Sequence, residues 1–143
     1  MAAKIVTLAN AIVSQLNTDF VGTFTAVRSY RPAAKLDDLA TVAVTVVPKS
    51  MEYQPMTRYF EQVDHTVEIG VQQRVATTAD IDTKTDLVEQ IGESLRRSVF
   101  TSGADKFHVL TVEVSPLVAI EHLDELNVFS SVVSVVAREA RAT

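Results

Sequence analysis

The sequence predicts an α+β fold: a mixed, mostly antiparallel five-stranded sheet with two helices packed on one face, in the order α-β-β-β-α-β-β. Two segments carry apolar residues at helical spacing, and five segments are rich in alternating β-branched residues. The 143 residues are 47% hydrophobic with only 4 glycines and 4 prolines, which suits one buried core and excludes a disordered chain. Because we find no repeat, linker or low-complexity tract, residues 1–143 are predicted to form a single domain.

The first helix is predicted from apolar residues that recur on one face: Ile5, Leu8, Ala9, Ile12, Val13 and Leu16. Asn17-Thr18-Asp19 ends it. Thr7 and Asn10 interrupt the apolar positions, whereas a signal peptide needs a continuous apolar stretch of roughly 7–15 residues. No apolar run approaches the ~20 residues of a membrane span. We therefore expect a folded helix and no membrane association.

Three strands follow this helix. Residues 23–30 alternate as in a strand, and residues 33–39 suggest a loop or one helical turn around Asp37-Asp38. Residues 41–47 are β-branched on both faces, which is typical of a central strand that Pro48 terminates. A loop is predicted over residues 49–57.

The third predicted strand, from Tyr59 to Val75, is unusually long. One face carries Tyr59, Val63, His65, Val67, Ile69, Val71 and Val75; the other carries Arg58, Gln62, Asp64, Thr66, Glu68, Gln72 and Arg74. At ~3.3 Å per residue such a strand spans roughly 50–55 Å, more than a domain of this size covers. Either it bends near Gly70 or its first half projects as one side of a long β-hairpin arm.

The second helix is predicted to follow Thr77-Thr78-Ala79, with an apolar stripe of Leu87, Val88, Ile91 and Leu95. Aspartates crowd its first turns and Arg96-Arg97 closes it, in keeping with the helix dipole. Gly92 inside a helix costs ~1 kcal/mol relative to alanine. We therefore expect the helix to pack closely against the sheet at Gly92.

The last part predicts two strands, residues 107–114 and 128–136, joined through a loop or single turn at residues 121–125. Ser102-Gly103 is predicted as a turn, and residues 138–143 as a frayed tail. The first three strands are expected to form an antiparallel meander and the last two a hairpin.

No residue pattern predicts catalysis, a cofactor or a metal. Cysteine is absent, and no GxGxxG, GxxxxGK[ST], GxSxG or HExxH motif occurs. His65 and His108 have no second ligand at suitable spacing, so structural roles are expected for both. Asp80, Asp82 and Asp86 resemble the start of a calcium loop, but its glycine position is Thr85 and its glutamate position is Ile91.

One other grouping suggests a ligand site. His122 is flanked by Glu121, Asp124 and Glu125, which would offer oxygen ligands and one imidazole to a metal. A charged turn between two strands accounts for the same residues. A small ligand-binding or enzymatic α+β domain built on this turn is the alternative to a protein that works by association.

A candidate partner interface lies in and after the predicted loop at residues 49–57. Flexible thioethers and aromatics on a loop suit a packing surface for a partner. The alternative is that the loop folds back over its own sheet. The residues are Met51, Tyr53, Met56, Tyr59 and Phe60.

Four passages resemble the tail-terminator or tail-completion proteins of long-tailed bacteriophages. They are IVTLANAIVSQLN, FTAVRSYRPAAKLDDLATVAVTVVPKS, VDHTVEIGVQQRV and EHLDELNVFSSVVSVVAR, which together span Ile5 to Arg138. These are packing and turn patterns without a chemical signature, and the family brings no catalytic residue to carry over.

The resemblance implies a virion structural protein, assembled in the host cytoplasm, that works at the head-proximal end of the tail. Such proteins form a ring, typically hexameric, that caps the tail tube and joins it to the head connector. A neck or head-closure component on the connector itself is the nearest alternative. Tail tube protein and connector or neck proteins are the implied partners.

Genomic DNA would pass through the lumen of such a ring without specific binding. The net charge of −5 agrees, because phosphate binding requires an excess of lysine and arginine. The acidic candidates to face the channel or its mouth are Glu52, Glu61, Asp64 and Glu68.

Overall fold

One mixed sheet with a layer of two helices makes up the fold, in a computed structural model that describes residues 3–30, 42–55, 60–75, 77–96, 98–102, 105–115, 118, 123 and 128–142. The helices are α1 (Lys4–Asp19) and α2 (Thr78–Leu95). The strands are β1 (Ala26–Arg28), β2 (Ala43–Pro55), β3 (Phe60–Arg74), β4 (Val99–Ser102), β5 (Asp105–Val114) and β6 (Val128–Ala142). They lie side by side in the order β1-β2-β3-β6-β5-β4.

Strict alternation gives the sheet two different faces. Side chains at alternate positions pack with the helices on the inner face, among them Val46, Ile69 and Val133, all fully buried. Their strand neighbours point to the outer face, where no described helix lies. The two predicted helical stripes complete the core: Leu8, Ala9, Ile12 and Leu16 of α1, and Leu87, Val88, Ile91 and Leu95 of α2, are buried.

The long third strand does not bend at Gly70; it forms part of an arm. β3 pairs with β2 from Gln72 to Glu61 and with β6 along its whole length, so the arm has three strands where two were expected. We define the arm as the half of β2, β3 and β6 that lies beyond the β2 bulge between Pro48 and Ser50.

Pro48 does not terminate β2, and the predicted loop at residues 49–57 is a strand as far as Pro55. β1 pairs only with Val44–Val46. Pro48 lies beyond this pairing, where β2 is an edge strand among the described residues. A proline that lacks its N–H breaks no ladder there. The bulge at Lys49 then restores pairing with β3.

Three other expectations about strands are wrong. β1 and β2 are parallel, so the first three strands are not an antiparallel meander. β4 makes a sixth strand, which changes the order to α-β-β-β-α-β-β-β; its four residues are too few to show an alternation. The tail does not fray, because β3 is long enough to pair with β6 as far as Ala142. The expected antiparallel neighbours β5 and β6 are confirmed.

Hydrogen bonds fix the ends of the helices. Thr77 and Asp80 form a capping box at the start of α2. The Asn17 side chain bonds both backbone groups of Ala26, accepting from its N–H at 2.7 Å and donating to its carbonyl at 3.2 Å. At Gly92 an added Cβ would lie 3.7 Å from Val112 Cγ1, an ordinary contact, so the packing is less close than expected.

Candidate functional site

The arm brings two of the five predicted interface residues together. Met51 and Tyr53 lie on β2 opposite His65 and Val63, and therefore on the inner face. They are 42% and 52% exposed, whereas Val63 and His65 are fully buried. Phe60 begins β3 and pairs with Ala142. Met56 and Tyr59 lie outside the described residues. We call Met51 and Tyr53 the arm pair.

A buried polar contact lies beside the arm pair. His65 Nε2 is 3.1 Å from Glu139 Oε1, and their side chains are 0% and 2% exposed. The ring of Phe107 packs edge-on against the imidazole, with 5.4 Å between centroids. A histidine on the apolar face was expected to be structural, and this geometry agrees. The contact joins β3 to β6 in the segment that was expected to fray.

The outer face carries a second polar contact, at the adjacent positions of β3 and β6. Arg138 donates from Nε and Nη2 to the two carboxylate oxygens of Asp64, at 2.9 and 3.2 Å. These hydrogen bonds raise the pKa of the Arg138 guanidinium above its ordinary value. Residues 138 and 139 are neighbours in a strand, so consecutive side chains of β6 join it to β3 from opposite faces.

The outer face has a shallow apolar depression at Gly70, because glycine has no side chain to fill it. We call it the outer-face pocket; its lining is Val47, Lys49, Glu68, Gly70 and Val132. Lys49 Nζ lies 2.6 Å from Glu68 Oε1 at its rim. Its volume of about 170 Å³ is below the ~300–1,000 Å³ of small-molecule sites. Its volume suits a single side chain rather than a drug-sized ligand.

The four carboxylates proposed to face DNA differ in their surroundings. Asp64 and Glu68 are paired with Arg138 and Lys49. Glu52 accepts a hydrogen bond of 3.1 Å from Gln54. Glu61 lies opposite Pro55 on β3. Two of the four carboxylates are therefore paired with cations, and their position relative to DNA stays a prediction.

The remaining polar candidates that the structure describes do not converge on a site. Asp80 belongs to the capping box, Asp86 accepts a hydrogen bond from Gln90, and His108 is an exposed residue of β5. His122 with its acidic neighbours, and Asp37-Asp38, lie outside the described residues. Within the described ranges no three histidine or acidic side chains are grouped as metal ligands would be. Neither described helix is both long and apolar enough to cross a membrane.

The outer-face pocket and the partners of β6 were not found from the sequence. A glycine inside a strand pattern marks a bulge, a bend or a close backbone approach, and a bend at Gly70 was one of the two alternatives that the sequence left open. Arg138 and Glu139 continue the alternation of the two faces of the last strand. That alternation was the signal in the sequence that could have predicted their contacts with the neighbouring strand.

Comparison with solved structures gives a likeness of fold. No protein-family model and no curated protein sequence matches this chain. Among solved structures, a chain in the "Virion of native gene transfer agent (GTA) particle" is similar to it with a TM-score of 0.59. The likeness covers 99% of this chain and 100% of that chain at 16% sequence identity, and it shows a shared fold.

Proposed function

We propose that this protein is a structural component of a phage-like virion, a ring-forming subunit at the head-proximal end of the tail. In this role it caps the tail tube and joins it to the head connector. The observation that carries the proposal is the end-to-end likeness of the fold to a chain of a gene transfer agent virion. The sequence resemblance to tail-terminator proteins supplies the position within the particle, and a homo-hexamer is the expected ring.

The arm supports a role in assembly. Sheet edges and exposed apolar side chains on a long projecting element favour association with other chains. Met51 and Tyr53 are such side chains. Both lie on β2, and the described β1 pairs with β2 only as far as Val46, so beyond Val46 that edge of β2 is not paired with β1. Among the described residues, no three histidine or acidic side chains are grouped as metal ligands would be.

Electron microscopy of negatively stained samples tests the proposal directly. The purified protein is imaged alone, with isolated tail tubes and with isolated head connectors from the same particle. We expect rings that bind one end of the tube and stop its growth. Binding to connectors but not to tubes would indicate the neck or head-closure role. A monomer that binds neither structure would contradict both roles.

A triple variant tests the arm as the interface. Met51→Ser with Tyr53→Ser and Met56→Ser should retain the folded circular-dichroism spectrum and lose ring formation, because a few buried anchors dominate interface energy. Val21→Ser is the matched control, since Val21 is, among the described residues, the most exposed large apolar side chain at 78% and lies outside the arm. Loss of the folded spectrum in the triple variant would mean that these side chains cover the core.

A further inference from the structure

The outer-face pocket has the size and chemistry of a receptor for one large side chain. Its floor is apolar, from Val47, Gly70 and Val132, and its rim is the Lys49–Glu68 ion pair. An apolar cavity of ~150 Å³ holds a benzene ring, and this one measures about 170 Å³. A phenol ring fits this description, with its ring on the valines and its hydroxyl at the charged rim.

The same chain presents such side chains on the other side of its sheet. Met51 and Tyr53 point to the inner face at the arm, as their pairing with His65 and Val63 requires. Val47 and Glu68, which line the pocket, pair with each other on the outer face. The bulge at Lys49 lies between the two sites in β2. A molecule therefore cannot insert its own arm pair into its own pocket.

We infer that the outer-face pocket of one copy receives the Tyr53 ring from the arm pair of the next copy. This inference rests on the proposed function and names the contact that builds the ring. Because donor and receiver lie on opposite faces, two copies joined by one contact leave one arm pair and one pocket free. Such a head-to-tail contact adds further copies until the ring closes.

Two classes of variant remove the two halves of the contact separately. Met51→Ser with Tyr53→Ser removes the inserted side chains and keeps the pocket. Val132→Arg fills the pocket with a long charged side chain and keeps the arm pair, and Val47→Arg does the same from β2. Each variant alone should weaken self-association at least about tenfold in sedimentation velocity. Circular dichroism confirms folding, and whichever arginine variant folds is used.

Mixing the two classes is the decisive measurement. The arm variant still offers a pocket and the pocket variant still offers an arm pair, so an equimolar mixture should form a one-to-one dimer and nothing larger. A symmetric contact between identical patches would give no such rescue. Rings in either variant alone, or only monomers in the mixture, would overturn the inference.

The outcomes separate this inference from the proposed function. If the variants assemble as the wild type does, rings form through other surfaces and the proposed function stands without this contact. If the wild type itself binds no tail tube or connector, the proposed function fails, whatever the variants do. Val21→Ser again serves as the control and should assemble normally.

Discussion

At the scale of single residues, the arm depends on two side chains that follow one another in β6. Arg138 reaches Asp64 on the outer face, and Glu139 reaches His65 on the inner face. The first contact is half-exposed and the second is fully buried. Exposed ion pairs contribute little, whereas removal of one partner from a buried pair leaves an uncompensated polar group.

Glu139→Leu should therefore destabilise the fold by about 1–3 kcal/mol, because the buried His65 loses this hydrogen-bond partner. Glu139→Leu combined with His65→Leu should cost less than Glu139→Leu alone, since both polar groups are then gone. Urea unfolding monitored by circular dichroism measures both. Glu93→Leu on the surface of α2 is the control, with a change within ~0.5 kcal/mol. A double variant less stable than the single would contradict the pairing.

Asn17 holds the end of α1 to β1 through both backbone groups of Ala26. Asn17→Ala should reduce the free energy of unfolding by about 1–2 kcal/mol, because the N–H and carbonyl of Ala26 lose their side-chain partner. Thermal unfolding provides the measurement. Asn10→Ala, on the exposed side of the same helix, should change stability by no more than ~0.5 kcal/mol. Equal effects at the two positions would show that Asn17 does not secure β1.

At the scale of elements, α2 contains an opportunity for stabilisation. Gly92→Ala should raise stability by about 0.5–1 kcal/mol, since helical backbone entropy favours alanine and its Cβ would meet Val112 Cγ1 at an ordinary 3.7 Å. Differential scanning calorimetry measures the shift in Tm. Gly22→Ala is the contrasting control: its φ of 83° is left-handed, so alanine is strained there although space is free. A lower Tm for Gly92→Ala would show that α2 packs more tightly than this distance allows.

The comparison of elements shows which signals in the sequence are sufficient. Repeated periodicity predicted both helices and the two faces of β3. Leu8 and Leu16 belong to a long helical pattern of apolar residues, and Val67 belongs to a long alternating pattern. The prediction that Pro48 terminates its strand was wrong because a proline ends a strand only where a neighbouring strand needs its N–H. That neighbour, β1, pairs with only three residues of β2. The parallel pairing of β1 with β2 is likewise set by distant contacts, which local sequence does not encode.

The candidate site was predicted only in part for a similar reason. Met51 and Tyr53 were identified as a thioether and an aromatic on a predicted loop; both lie in a strand and are exposed, and their role in an interface stays a prediction. The outer-face pocket was missed because Val47, Gly70 and Val132 come from three strands. Their proximity depends on the register β2-β3-β6 rather than on any spacing in the sequence.

At the scale of the whole molecule, the charge distribution bears on DNA passage. The net charge is −5, and this value already includes the cations that pair with Asp64 and Glu68. The assembled ring should show no measurable affinity for duplex DNA near physiological salt, because phosphate binding needs an excess of basic contacts. Fluorescence anisotropy with a labelled duplex measures this. Binding that weakens steeply as salt rises would reveal a basic surface and contradict the prediction.

The paired register of the arm also restricts how its length can change during evolution. An inserted or deleted single residue in β3 would exchange its two faces from that point on and would place His65 on the side of Asp64, unless a bulge such as the one at Lys49 in β2 absorbed it. Changes in steps of two, matched in β2 and β6, preserve the faces and alter the reach by ~6–7 Å per step. Related chains with longer or shorter arms are therefore expected to differ by even numbers of residues or to carry an additional bulge.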